Sequence, residues 1–309
     1  MRVVMVAPAV EAPVVIGLDV GGTKILSGLV DREGNVLAER EVPSPDGSEE
    51  GVLAALDEAV DALLEERVAA IGYGIPANLE RGTGRILNAM NLPLDDVDLI
   101  TRSTDRFDLP TGVENDGSAA TLAEWRGGAG RGTSNLVMLT LGTGVGGGVI
   151  ADGRLFRGWA ELGHIVVQEG GAECTCGGRG HLEMLASGFH AGDPAARELF
   201  GPGADSYVLI ANASRGDERA REALARIGHS LGAAIGSLVN IFDPELVVVG
   251  GGFGAAAGAL VLDPALEAAR REAVPPANGT LRIVPAELGS DAGLVGAGLV
   301  AFEALDGER

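Results

Sequence analysis

A carboxylate, Asp19, ends an apolar run and leads into the glycine pair of DVGGTK, residues 19–24. A second glycine-rich corner, GTGVGGG at 142–148, follows the apolar run Leu136–Leu141. A third, Gly250–Gly252, follows Leu246–Val249. Glycine lets a backbone approach a phosphate and turn its N–H groups toward it. A carboxylate at such a corner suits a magnesium ion among phosphates, and a helix opening after the third corner would favour an anion. Any one corner is equally a plain turn. None has the spacing of the lysine-bearing phosphate loop or the dinucleotide fingerprint. Three in order, each behind an apolar strand, point to a nucleotide cleft.

Two further groups of residues carry chemistry. Asp116 stands where a short strand gives way to a helix, and there it is either an N-cap or a functional carboxylate. His164, Cys174, Cys176 and His181 are metal-ligand types at short spacing, and four such N/S donors make a closed structural zinc set. Their C-x-C spacing differs from the redox C-x-x-C; the other reading is two reduced thiols in an ordinary loop. Lys24, the single lysine, either neutralises phosphate beside the first corner or is an exposed strand residue. Trp125 and Trp159 are expected to pack rather than stack on a ligand.

The elements that must position these residues follow from pattern. Val14–Leu18, Ile25–Val30 and Val36–Glu41 read as a three-stranded meander, turned at DREGN. A helix is expected from Ser48 to about Glu66, with Val52, Leu56, Val60 and Leu63 on one face. Val68–Ile75 is a strand, Pro76–Leu94 a loop, Leu99–Phe107 a helix, Thr111–Val113 a strand and Gly117–Trp125 a helix. Gly127–Gly132 looks like a domain joint. Beyond it the order strand, glycine corner, strand recurs, a duplication on the scale of a domain. A polar, glycine-rich insertion begins at Glu161, and helices run to Phe242. Gly228, Gly232 and Gly236 put one glycine face on a helix that packs closely on a neighbour. The last helix, about Ala292–Leu305, crosses back to the first half.

Composition sets the outer bounds. A chain of 309 residues that is 46% hydrophobic and 22% charged is long enough for two domains with real cores. Its net charge of −21 argues against a phosphate-backbone or anionic-membrane binder. Two cysteines form no disulfide framework, which points to a reducing, cytoplasmic setting. Residues 1–13 are read as a flexible leader, too short in their apolar run for a secretion signal.

Taken together, these motifs resemble the actin-like sugar kinase and hexokinase superfamily, and within it the ROK family (repressors, open reading frames and sugar kinases), on the side of its bacterial glucokinases. The likeness runs from about residue 14 to 305. DVGGT is similar to the family's first phosphate motif, LTLGTGVGGG to its second and VVVGGGFG to its adenosine motif. VENDGSAA at 113–120 resembles its ENDANAA segment. ELGH at 161–164, and CTCGGRGH running into LEMLASG, resemble its two signature stretches.

The resemblance implies an α/β fold of two duplicated actin-like (ribonuclease H-like) lobes, each on a mixed five-stranded sheet, flanking a cleft. The small lobe would be 14–121, completed by 292–309; the large lobe would be 122–291, with a zinc-bearing insertion at 161–183. ATP and Mg²⁺ would lie against Asp19, Gly21, Gly22, Thr23, Lys24, Gly142, Thr143, Gly144, Gly251 and Gly252. Asn91, Asn115, Asp116, Glu161, His164 and Glu183 match sugar-contacting positions, and Asp116 matches the general base; Asn91 is equally a turn residue. Zinc on His164, Cys174, Cys176 and His181 would fold the insertion so that Glu161, His164 and Glu183 face the sugar, with His164 offering its second ring nitrogen to a hydroxyl. Family members usually carry a third cysteine where this chain has His181.

The implied reaction is ATP-dependent phosphorylation of the 6-hydroxyl of glucose. Mannose, fructose, N-acetylmannosamine and N-acetylglucosamine stay open as acceptors, and polyphosphate as donor. A sugar-sensing repressor is the rival class, but the 18 residues before Asp19 are too few for its helix-turn-helix. No nucleic acid or membrane partner is expected. The glycine-stepped helix and the family suggest a homodimer or homotetramer.

Overall fold

This computed structural model describes residues 12–45, 47–89 and 91–308, so most of the expected leader lies outside them. The first apolar run forms β1 (Val14–Val20), and the chain folds back on it as β2 (Lys24–Val30) and β3 (Val36–Pro43). Asp31 makes the second turn by accepting the N–H groups of Glu33 and Asn35. Ser48 caps α1 (Glu49–Asp61) through the Gly51 N–H. The periodicity that carried this helix to Glu66 overruns it. No cation in its last turn answers the negative helix end, and two glutamates follow.

β4 (Val68–Ile75) enters the sheet beside β1. The stretch Pro76–Leu94, expected as loop, instead carries β5 (Ala77–Leu79) and β6 (Ile86–Ala89), which form a small antiparallel sheet with β7 (Asp95–Val97). Strands of three or four residues hold too little alternation to be read from sequence. α2 (Leu99–Phe107), β8 (Thr111–Asn115) and α3 (Asp116–Gly127) complete this half.

The second half repeats the plan with β9 (Leu136–Leu141), β10 (Val145–Ala151) and β11 (Arg154–Leu155). After the insertion come α4 (Leu182–Ala186), α5 (Asp193–Phe200), α6 (Ser206–Ser214) and α7 (Glu218–Phe242). Then follow β12 (Leu246–Gly250), α8 (Gly252–Ala257), α9 (Ala259–Glu272), α10 (Ala277–Thr280), β13 (Ile283–Pro285) and α11 (Ala292–Asp306). The two large sheets have the orders β3-β2-β1-β4-β8 and β11-β10-β9-β12-β13, with matching directions. The repeated pattern in the sequence is therefore a repeated mixed sheet of five strands. The second corner is shorter than its glycines suggested: Gly146–Gly148 already belong to β10. Among the described residues no helix is long and apolar enough to cross a membrane.

α11 returns to cover the first sheet. It does so on a row of glycines in register across four strands, Gly28, Gly17, Gly72 and Gly112. A Cβ on Gly17 would lie 2.7 Å from the Leu294 carbonyl oxygen, and one on Gly112 2.7 Å from that of Val300; one on Gly72 would overlap the Ala297 oxygen. Sheet and helix thus meet backbone to backbone. Leu294, Ala301 and Phe302 bury themselves with Val15, Val30 and Ala70. Ile16, Leu18, Ile71 and Tyr73 fill the opposite face with α1.

The two halves are tied at α3. A Cβ on Gly117 would stand 2.6 Å from the Gly147 nitrogen of β10. At the far end of α3, Glu124 is fully buried. Its carboxylate accepts the Ala129 N–H (2.8 Å) in the glycine-rich joint, and those of Glu287 (3.1 Å) and Leu288 (2.7 Å) just before α11. One side chain therefore fastens both chain crossings between the halves. The glycine stripe of α7 packs on α9 of the same chain, where Gly228, Gly232 and Gly236 meet Pro264, Ala268 and Glu272. That face is consumed internally and gives no argument for association between copies.

Gly72→Ala is expected to cost at least about 2 kcal/mol, since the new methyl would meet backbone rather than a movable side chain. Gly279→Ala, in open space, is the control and should change stability by less than about 0.5 kcal/mol. Equal melting temperatures for the two variants would refute the close-approach account.

Candidate functional site

Asp19 sits at the C-terminal end of β1, and the Gly21 N–H closes the first corner on the Lys24 carbonyl oxygen (2.9 Å). Asn91 packs against this corner, its Cβ 3.0 Å from where a Cβ on Gly22 would be. Lys24 is exposed and paired with Glu41 of β3 at 2.6 Å. The second and third corners lie together, since a Cβ on Gly251, whose φ is +81°, would overlap the Leu141 backbone just before Gly142. The Gly142 carbonyl oxygen takes the Gly188 N–H at 2.8 Å.

Between the corners runs a row of acids. Asp116 is the first residue of α3, but the helix cap is Asn115, whose side-chain oxygen accepts the Ser118 N–H (3.1 Å). Asn115 also donates to the Ala77 carbonyl oxygen at 3.4 Å. The capping alternative for Asp116 is thus taken by its neighbour. Asp116 Oδ1 accepts the Gly117 N–H at 2.8 Å. Burial raises its pKa, and that hydrogen bond only partly offsets the rise. Asp19 is pushed up to about 6 by burial and by the charge of Asp116, against the opposing pull of Lys24. Its carboxylate lies against Gly293 in the first turn of α11. Glu161 is also raised, by burial and then by Asp116 and Glu183. Glu183, on α4, accepts the Val145 N–H at 3.1 Å, directly after the second corner. The chain therefore links the first corner through Asp19, Asp116, Glu161 and Glu183 to the second.

The insertion hangs beside this row. Ala160 holds a left-handed backbone, φ +47°, immediately before Glu161, a conformation alanine adopts only under constraint. The turn Leu162–His164 follows. His164 turns Nδ1 to Cys174 Sγ (3.7 Å) and Nε2 to Glu161 (4.0 Å). Cys176 Sγ lies 3.3 Å from His181 Nδ1. All four donor atoms fall within 4.8 Å of one another. A tetrahedral zinc with ordinary bond lengths spaces its ligands about 3.3–3.8 Å apart, so the donors fit that ion after a small contraction. His181 stands among the four donors, and the other ring nitrogen of His164 faces Glu161.

Two residues depart from expectation. Trp159 is 60% exposed rather than packed, its Nε1 donating to the Leu79 carbonyl oxygen at 3.2 Å. Trp125 packs as expected, with Arg126 over its ring. Glu124 went unnoticed in the sequence, where a glutamate in a helix reads as surface charge.

The protein is expected to hold one zinc per chain. Chelation should lower its melting temperature and open residues 162–183 to proteolysis; a stable, zinc-free preparation would overturn the assignment. Asp19→Asn is expected to stabilise the ligand-free protein at pH 7.5 by about 1–3 kcal/mol. The ionised Asp19 is disfavoured in the fold, so that cost develops as pH rises from about 4 through 6. The gain should vanish near pH 4 in paired thermal melts.

Comparison with known proteins agrees with this geometry. The ROK family model matches residues 15–304. The glucokinase of Streptomyces coelicolor is 34% identical over 313 residues, covering 93% of this chain and 97% of that one. The N-acetylmannosamine kinase of Escherichia coli O157:H7 is 34% identical over 297 residues, again 93% and 97%. The crystal structure of a ROK family glucokinase from Streptomyces griseus in complex with glucose and AMPPNP superposes with a TM-score of 0.81 at 35% identity, covering 94% of this chain and 99% of that one. With the duplicated sheets, the three glycine corners and the Cys/His cluster, these matches show that the chain belongs to the ROK family.

Proposed function

We propose that the protein is an ATP-dependent sugar kinase that phosphorylates the 6-hydroxyl of glucose, with Asp116 as general base. The observation that carries this reading is the freed carboxylate of Asp116. It is buried, relieved of capping by Asn115, and set in an acid row between the glycine corners and the zinc-type cluster. We read residues 14–121 with 292–309 as the small lobe and 122–291 as the large lobe, the cleft lying between them.

ATP is taken against Gly21, Gly22 and Thr23 on one side and Gly142, Thr143, Gly144, Gly251 and Gly252 on the other. Asp19 suits the accompanying Mg²⁺, which supplies charge neutralisation at the phosphates. The hexose lies along Asn91, Asn115, Glu161, His164 and Glu183. Carboxylates and an imidazole grip vicinal hydroxyls, and a missing hydroxyl would leave them unpaired. As the 6-oxygen attacks the γ-phosphorus, its proton passes to Asp116, and the bond to the β–γ bridging oxygen breaks. The Gly117 N–H fixes Oδ1, which leaves Oδ2 for the proton. Burial that raises the Asp116 pKa makes it a stronger base than an exposed aspartate.

A second reading, a kinase for an N-acetylhexosamine, draws support from the N-acetylmannosamine kinase at the same 34% identity. ADP release measured with glucose, mannose, fructose, N-acetylmannosamine and N-acetylglucosamine separates the two. Glucose should give the highest kcat/KM, and ATP should outperform polyphosphate. Asp116→Asn should lower kcat by about 10²–10⁴-fold with little change in sugar KM. The acid limb of kcat/KM should lie above the ordinary carboxylate range, the direction in which burial moves Asp116. A limb near pH 4, or near-normal turnover in the variant, would remove Asp116 from its role.

A further inference from the structure

Between the β5–β6 hairpin of the first half and the segment that follows β11 in the second lies a hollow of about 650 Å³. On this side of α3 the halves are parted by open space, and polar bridges cross it. Two rise from one short segment. Trp159 donates its indole N–H to the Leu79 carbonyl oxygen of β5 at 3.2 Å. Arg157 sends its guanidinium to Glu114 of β8 (Nε to Oε2, 3.4 Å) and to Glu303 of α11.

Both carboxylates are poorly solvated. The Glu114 side chain is 9% exposed and that of Glu303 15%. An ion pair on a largely buried carboxylate is stronger and less screened than a surface pair. Removing one partner leaves the other charge buried and unanswered. A planar guanidinium serves two carboxylates at once through its separate nitrogens, which a point charge does less well.

The bridge ends at the site. Glu114 Oε1 accepts the Asn115 N–H at 3.1 Å, while Oε2 faces Arg157. Asn115 in turn caps α3 through the Ser118 N–H, and Asp116 opens that helix. On the other side, Arg157 and Glu161 share one short segment, with the left-handed Ala160 fixing the turn between them. The Glu161 carboxylate feels the charge of Asp116 from across the halves. One guanidinium therefore ties the strand end that leads into Asp116 to the segment that carries Glu161.

Given the kinase reading above, we propose that Arg157 is a positioning residue for the phosphoryl transfer, its ion pairs with Glu114 and Glu303 setting Asp116 against Glu161 across the two halves. Its part is played through Glu114 and Asn115, not on the reacting atoms.

Hydrogen exchange reads the bridge without substrate. In natively folded Arg157→Gln, checked by its cooperative melt, amides of residues 115–121 should exchange at least about tenfold faster than in the wild type, while those of α7 stay within about twofold. Kinetics read the role. With the hexose that the wild type turns over best, Arg157→Gln should lower kcat/KM for the sugar by about 10–100-fold and leave KM for ATP within about twofold. Arg157→Lys, which keeps the charge but not the fork, should fall between the two. Adding Glu114→Gln to Arg157→Gln should cost no more than a further factor of about three, as expected of residues acting in one chain. A general loss of stability would instead speed exchange in α7 as well and lower kcat without this split between substrates. Unchanged exchange at 115–121, equal losses for sugar and ATP, or an Arg157→Gln enzyme as fast as the wild type overturns the proposal. A wild type that phosphorylates no hexose fails the kinase reading instead, and the exchange result still judges the bridge.

Discussion

Two backbones touch where the halves of this molecule meet. Gly117 approaches the Gly147 backbone so closely that it admits no methyl group, and the residue just before that contact is Asp116. Each sheet, with its own corner and covering helices, could have been built without the other. The acid row could not, since Asp19 and Asp116 come from one half and Glu161 and Glu183 from the other. Glu124 fastens the far end of the same helix with three backbone hydrogen bonds. The position of the proposed base is thereby fixed by main-chain packing at one end of α3 and by a buried carboxylate at the other.

The acids are held together at a cost. Burial disfavours the ionised forms of Asp19, Asp116 and Glu161, and neighbouring carboxylates add to the rise at Asp19 and Glu161. A fold selected for stability alone would separate them or supply cations. The one lysine of the chain stands close enough to temper Asp19 but is spent on Glu41. In the proposed reaction the remaining charge is left for substrate and metal to answer, the usual tension between stability and activity. The constrained backbone of Ala160, just before Glu161, belongs to the same pattern.

Much of this was legible in the sequence for a simple reason: corners and apolar strands are local. DVGGTK, the Leu136–Leu141 strand and the Cys/His spacing depend on neighbours in the chain, and each stands where it was expected. Most of what the sequence left open or missed was tertiary. Asn115 and Asp116 are both good capping residues, and only the path of the chain decides which one caps. Three-residue strands such as β5 and β7 exist through their partners. Trp159 looked like a packing residue because nothing near it in sequence reveals an open hollow. Glu124 is indistinguishable from a solvated helix glutamate until the main-chain N–H groups at 129, 287 and 288 converge on it.

The glycine row was the least readable feature, being spread over residues 17, 28, 72 and 112. Its consequence lies in the order of synthesis. The sheet that bears the row is encoded by residue 115, whereas the helix that seats on it ends at 306. At about 5–20 residues per second, a ribosome leaves that surface bare for roughly 10–40 s. A bare face of leucines and valines would be a hazard over that interval. A band of glycine presents mainly peptide groups, which water solvates well, until the helix arrives from the tunnel.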